Sequence, residues 1–156
     1  MKLIGNKNEF AVEYQVTDVP NKMGYAKLWI QNKFYGTNQD LIYLSGYLVK
    51  LIKNIVEAKP LNFPLDDSNE DNIYRQFAEL SEETSEYLIT SSSFTDDFIG
   101  YKFKDGENVV LVWRIRNDVE MIFDDLKDYT KSTTLVKVNL QTVAEVMNKF
   151  IAEIEK

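Results

Sequence analysis

The sequence predicts an α+β fold, a largely antiparallel β-sheet with amphipathic helices packed on one face. Three patterns predict it: period-two apolar alternation near the start, three-and-four apolar spacing in two later stretches, and an Asp-Gly pair between two β-rich runs. Hairpins make the sheet antiparallel, and a helix with one apolar stripe must bury that stripe against something.

From Phe10 through Val12, Tyr14 and Val16 the residues of Glu9 to Val16 alternate apolar with polar, a strand with one buried face. Pro20 and Gly24 mark a turn region from Asp18. Tyr25 to Gln31 reads as a second strand, with Leu28 and Ile30 on one face and Trp29 on the other. Asn32-Lys33 is the expected tight turn into Phe34-Tyr35, and Gly36 ends that run.

The period then changes. Leu41, Leu44, Leu48, Leu51, Ile52 and Ile55 define a helical stripe within Asp40 to Ala58. Gly46 costs that helix about 1 kcal/mol relative to Ala, so it marks a close packing contact. Pro60 and Pro64 terminate the pattern, Asn69 to Leu80 reads as a short helix with Ile73, Phe77 and Leu80 inward, and Thr90 to Ser93 reads as a loop.

Phe98 to Lys104, Asp105-Gly106 and Glu107 to Arg116 form the clearest hairpin signal in the chain. Val109, Leu111, Trp113 and Ile115 line one face of its second strand, and Val110, Val112, Arg114 and Arg116 the other. Apolar residues on both faces put this strand inside the sheet. Asp118 to Asp128 is acidic, with Met121, Ile122, Phe123 and Leu126 toward the core. A last strand at Leu135 to Val138 leads, through Asn139 as N-cap, into a helix with Val143, Met147, Phe150 and Ile154 on its stripe.

The 156 residues suit a single domain, 1–156, large enough for its own core. The chain has no cysteine, hence no disulfide framework or thiolate metal site, and no histidine, hence no imidazole for catalysis. No phosphate-binding glycine motif is present. The longest hydrophobic region, Leu41 to Val56, is interrupted by Ser45, Lys50, Lys53 and Asn54, and Met1 to Lys7 lacks a signal-peptide core. A cytoplasmic protein with no membrane segment is expected.

Charge is the most uneven property. Asp66 to Asp97 holds ten carboxylates against one cation, Arg75, while the whole chain carries −7, so everything outside this segment is slightly basic. A local negative field draws basic partners and repels nucleic acid. Asp66 to Asn72 has oxygen ligands at alternate positions but fails as a calcium loop. Its sixth position is Asp71 or Asn72 rather than glycine, and its twelfth is Phe77 or Ala78, neither of which ligates. No metal or cofactor is therefore expected.

A solvated face is the simplest reading of such a charge run. Aromatics interleaved with the acids favour a protein-binding surface instead, charges steering and aromatics anchoring. Phe77 and Phe94 read as core, which leaves Tyr74 and Tyr87 as the surface anchors. The candidate partner-binding set is Asp66, Asp67, Glu70, Asp71, Tyr74, Glu82, Glu83, Glu86 and Tyr87. Trp29 and Trp113 read as core. Lys2, Lys7, Lys22, Lys27 and Lys33 read as strand-edge solubilisers, and Arg114 and Arg116 as partners for acids across the sheet.

Both ends of the chain resemble a known family. Ile4-Gly5-Asn6-Lys7-Asn8-Glu9-Phe10-Ala11-Val12-Glu13-Tyr14, then Leu28-Trp29-Ile30 and Gly36, are similar to the start of immunity protein family forty-two of bacterial polymorphic-toxin and contact-dependent growth-inhibition systems. Asp97 to Phe103, the Asp-Gly turn, Val110 to Arg114 and Val136 to Leu140 are similar to its later part. The acidic middle is not covered, and reads as a recognition insertion at 66–97. The resemblance implies a non-catalytic cytoplasmic inhibitor that binds the C-terminal domain of a cognate toxin, often a nuclease. Two other readings stay open at this level: an intracellular adaptor docking a basic protein, and a hydrolase relying on carboxylates alone.

Overall fold

The computed structural model describes residues 1–66, 69–80 and 85–156. Its strands are β1 (Lys2–Asn6), β2 (Phe10–Asp18), β3 (Met23–Ile30), β4 (Lys33–Tyr35), β5 (Ile42–Tyr43), β6 (Phe98–Asp105), β7 (Asn108–Ile115) and β8 (Thr134–Asn139). Its helices are α1 (Val49–Val56), α2 (Glu70–Glu79), α3 (Asp124–Lys127) and α4 (Leu140–Ile154). The α+β class and the antiparallel pairing agree with the sequence. The strands divide between two sheets, one ordered β1-β2-β3-β4 with β5 also pairing β3, the other β6-β7-β8.

Alternation dictates the main core. Phe10, Val12 and Tyr14 of β2 and Ala26, Leu28 and Ile30 of β3 meet Val109, Leu111, Trp113 and Ile115 of β7 in one buried cluster. Leu51, Ile52 and Ile55 of α1 and Val143, Val146 and Phe150 of α4 close it. Asn139 caps α4 as expected, its side chain accepting from the backbone of Gln141 and Thr142.

β7 is the central strand of the second sheet, and both its faces are buried. Val110 and Val112 point away from the main core into a second cluster with Tyr101, Phe103, Tyr87 and the α2 residues Ile73, Tyr74 and Phe77. The acidic segment thus contributes the outer cover of this sheet.

Several local expectations shift. The stripe begun at Leu41 is helical only from Leu44. Leu44–Leu48 is a π-helical turn ahead of α1, Ile42–Tyr43 is a strand, and Leu41 is exposed. A Cβ on Gly46 would run into the Tyr43 ring, so the glycine does mark a close contact. Pairing of Ile30 with Lys33 puts the tight turn at Gln31-Asn32, one residue earlier than expected. Both residues are left-handed (φ 49° and 65°), the geometry that matches strand twist in a two-residue hairpin. Likewise Asp105 pairs with Asn108, so Gly106 (φ 61°) opens a Gly106-Glu107 turn. Leu80 is only half-buried at the end of α2, and Ile122 is exposed because only Met121, Phe123 and Leu126 of that acidic stretch reach the core.

Trp113 is fully buried, and its Nε1 donates to the Tyr129 hydroxyl (3.0 Å), which donates to the Phe34 carbonyl (2.6 Å). That chain of bonds joins the two sheets. Trp29 corrects the expectation of a core residue: alternation turns it to the outer face of the first sheet, where it is half-buried. Lys7 Nζ stands 4.2 Å from its ring centroid. Lys27 is no solubiliser either. It is buried beneath α3, 3.9 Å from the Phe34 centroid and 3.5 Å from Asp125.

Candidate functional site

Helix α2 sets the geometry of the acidic region. Asn69 begins it, its side chain accepting from the Asn72 backbone (2.9 Å), and Glu70 and Asp71 in the first turn suit the positive end of the helix dipole. Ile73, Tyr74 and Phe77 share one side of the helix by i, i+3 and i, i+4 spacing and are buried. Phe77 stacks on Tyr101 of β6, centroids 5.1 Å apart and planes 12° from parallel. With that side committed to the sheet, the carboxylates of α2 are left outward. Glu70, Asp71 and Glu79 are exposed, as are Asp66, Glu86 and Asp96 on the flanking segments.

The acids differ in how they are engaged. Asp71 is held by the fold: Thr133 donates to it, Arg114 of β7 pairs with it at 3.2 Å, and these bonds keep its carboxyl below the usual range. Glu86 accepts from Asn62 (3.2 Å) and lies 3.9 Å from Lys59. The Asp66 backbone donates to Gln76 (2.8 Å), whose amide donates to the Pro64 carbonyl (2.6 Å), fastening the segment before α2 to its middle. Asp67, Glu82 and Glu83 lie outside the described residues.

Tyr74 and Tyr87 correct the expectation of surface anchors. Tyr87 is 1% exposed; its hydroxyl donates to the Pro60 carbonyl (3.0 Å) and accepts from the Asn62 backbone (2.9 Å). Tyr74 is 9% exposed and covered by the Arg114 guanidinium, 4.3 Å from its centroid. Both belong to the second core cluster. The expected pairing of Arg114 is with α2 rather than across the sheet, and Arg116 pairs locally with Asp118 through two hydrogen bonds of 3.1 and 3.0 Å.

The exposed apolar residues of this region are others. Leu88 (45% exposed) and Ile99 (40%) stand beside a groove of about 340 Å³ at the edge of β6, floored by Ile89, Phe98 and Gly100 and rimmed by Asp96, Arg116 and Asp118. Asp97 adjoins the rim; partial burial pushes its carboxyl up, Asp96 adds to the effect, and Arg116 opposes it. Behind the groove, buried Lys102 donates to the Leu88 carbonyl (2.8 Å) and is 3.5 Å from that of Glu86, which ties residues 86–88 to β6. Burial, with Lys59 adding, pulls its amine down to about 8.

Neither Leu88 nor Ile99 was singled out from sequence. The readable signal was alternation: Ile99 shares a strand face with Tyr101 and Phe103, but α2 covers only those two. Among the described residues no helix is long and apolar enough to cross a membrane, and no group of three Asp or Glu side chains is arranged to hold a metal ion.

The model of the family described as immunity protein 42 matches residues 1–153. No curated protein matches the chain. Among solved structures, the crystal structure of CdiI from Burkholderia dolosa AUO158 is similar over 97% of this chain and 99% of that one, with a TM-score of 0.61 at 12% identity. That likeness is one of fold.

Proposed function

The chain belongs to the immunity protein 42 family, as an immunity protein that neutralises a toxin, and we propose that it acts by binding the toxin's C-terminal domain in the cytoplasm through its acidic surface, without catalysis. The observation that carries this reading is the outward set of carboxylates around α2: Asp66, Glu70, Asp71, Glu79, Glu86 and Asp96 are all exposed. Their field steers a basic partner into encounter and rejects acidic ones. A nuclease fits this chemistry best, because a surface that binds phosphates must be basic. An acidic inhibitor then occupies that surface, or binds beside it and blocks access. The sequence-level set Asp67, Glu82 and Glu83 extends the same charge.

Co-expression tests the reading. The chain is produced with the C-terminal domain of a candidate cognate toxin. The expected result is co-purification of the two and relief of the growth arrest caused by the toxin domain alone. Growth arrest that persists with this chain abundant and folded would overturn it.

A further inference from the structure

We propose that the groove at the β6 edge, between Leu88 and Ile99, is the docking point for a lysine or arginine of the toxin domain together with an apolar side chain beside it. This inference rests on the reading of the chain as a toxin-binding inhibitor and assigns the contact that holds the complex together.

Three observations carry it. First, the groove combines apolar and charged surface as a binding centre does. Two aliphatic side chains are exposed beside a floor of Ile89, Phe98 and the bare backbone of Gly100. Gly100 has no room for a side chain: a Cβ there would lie 2.9 Å from both Ile89 and Trp113.

Second, the charge is unbalanced in one direction. Asp96, Asp97 and Asp118 surround a single guanidinium, Arg116, which is already committed to Asp118 by two hydrogen bonds. Three carboxylates against one guanidinium leave the rim net negative, so charge complementarity selects a basic occupant rather than an acidic one.

Third, the platform is rigid. Leu88 is bridged to Tyr101, Ile89 donates to the Gly100 carbonyl (2.9 Å), and Lys102 holds the Leu88 carbonyl from beneath. A preorganised site loses little entropy on binding. The aromatic anchors expected at Tyr74 and Tyr87 are buried, and aliphatic anchors on a fixed edge take that place.

The experiment separates the two roles kinetically. Leu88→Lys and Ile99→Lys, at exposed positions, are compared with wild type for binding the isolated toxin domain by surface plasmon resonance, with folding checked by circular dichroism. The groove account predicts dissociation faster by roughly thirtyfold or more for each. Leu3→Lys, at an exposed site (48%) on the edge strand of the other sheet, is expected to leave dissociation unchanged. Glu70→Lys with Glu79→Lys slows association and leaves dissociation alone. Asp96→Asn, a milder change, keeps the site testable should a lysine variant fail to fold, and is expected to speed dissociation and weaken the salt dependence.

Wild-type dissociation rates in folded Leu88→Lys and Ile99→Lys would overturn the groove assignment while leaving the inhibitor reading intact. Absence of any wild-type binding would instead remove the reading itself. Self-association of the free chain, measured by sedimentation and abolished by Leu88→Lys, would make a second copy the occupant and likewise overturn the assignment.

Discussion

Arg114 lies over the ring of Tyr74, 4.3 Å from its centroid, so a β7 guanidinium seals an α2 aromatic that would otherwise face solvent. The same side chain reaches Asp71 one turn back on α2 at 3.2 Å. A cation thus sits between the second core cluster and the acidic surface, fixing where the surface begins.

Removing it loosens α2. Arg114→Ala is expected to cost about 1–2 kcal/mol through lost ring contact and packing, measured by urea unfolding. The contribution of Asp71 has a defined pH dependence. Its folded pKa is depressed, so its stabilisation is present above the unfolded carboxyl value and is lost as pH falls through the folded one. A double-mutant cycle between Asp71→Ala and Arg114→Ala should show coupling at pH 7 that fades in strong acid. Equal coupling at both would contradict the pairing.

Tyr87→Phe distinguishes a core residue from an anchor. It deletes only the hydroxyl that joins Pro60 to Asn62, leaving the Pro60 carbonyl and the Asn62 backbone N–H without that partner. The expected loss is about 1–2 kcal/mol of stability, with toxin affinity unchanged within about twofold. A large affinity loss at unchanged stability would restore Tyr87 as a contact.

Lys102 predicts a stability change on the alkaline side. Its folded pKa, about 8, lies below the ordinary 10.5 of the unfolded chain. Between those values the unfolded state binds more protons, so wild-type stability gains from this residue as pH rises through that range. The difference in stability between wild type and Lys102→Met, followed by thermal melts from pH 7.5 to 9.5, should move in favour of wild type. A flat difference would contradict the buried charge.

Legibility in the sequence follows the range of the interactions. Alternation in β2 and β7, the Asp-Gly turn and the Asn139 cap are local, and each is readable to within a residue or two. Two apolar faces on β7 also announced a central strand, but nothing local said that α2 would cover the second face. The misreading of Tyr74 has a specific cause. Its acidic neighbours suggested a surface residue, whereas its i, i+3 relation to Phe77 placed it on the buried stripe. Tyr87 lay beyond periodic reasoning, since its burial depends on Pro60, Asn62 and the β6 face meeting in space. Leu88 and Ile99 were hidden for the converse reason: strand-like apolar residues look like core until the cover is seen to stop short.

The most direct test of the central claim is the ionic-strength dependence of association with the toxin domain, measured by stopped flow for wild type and for the combined Glu70→Lys, Glu82→Lys and Glu83→Lys variant. If an acidic surface captures a basic toxin, the wild-type rate falls steeply with salt, and the variant is slower at low salt with a flatter slope. Identical rates and slopes for the two proteins would contradict it.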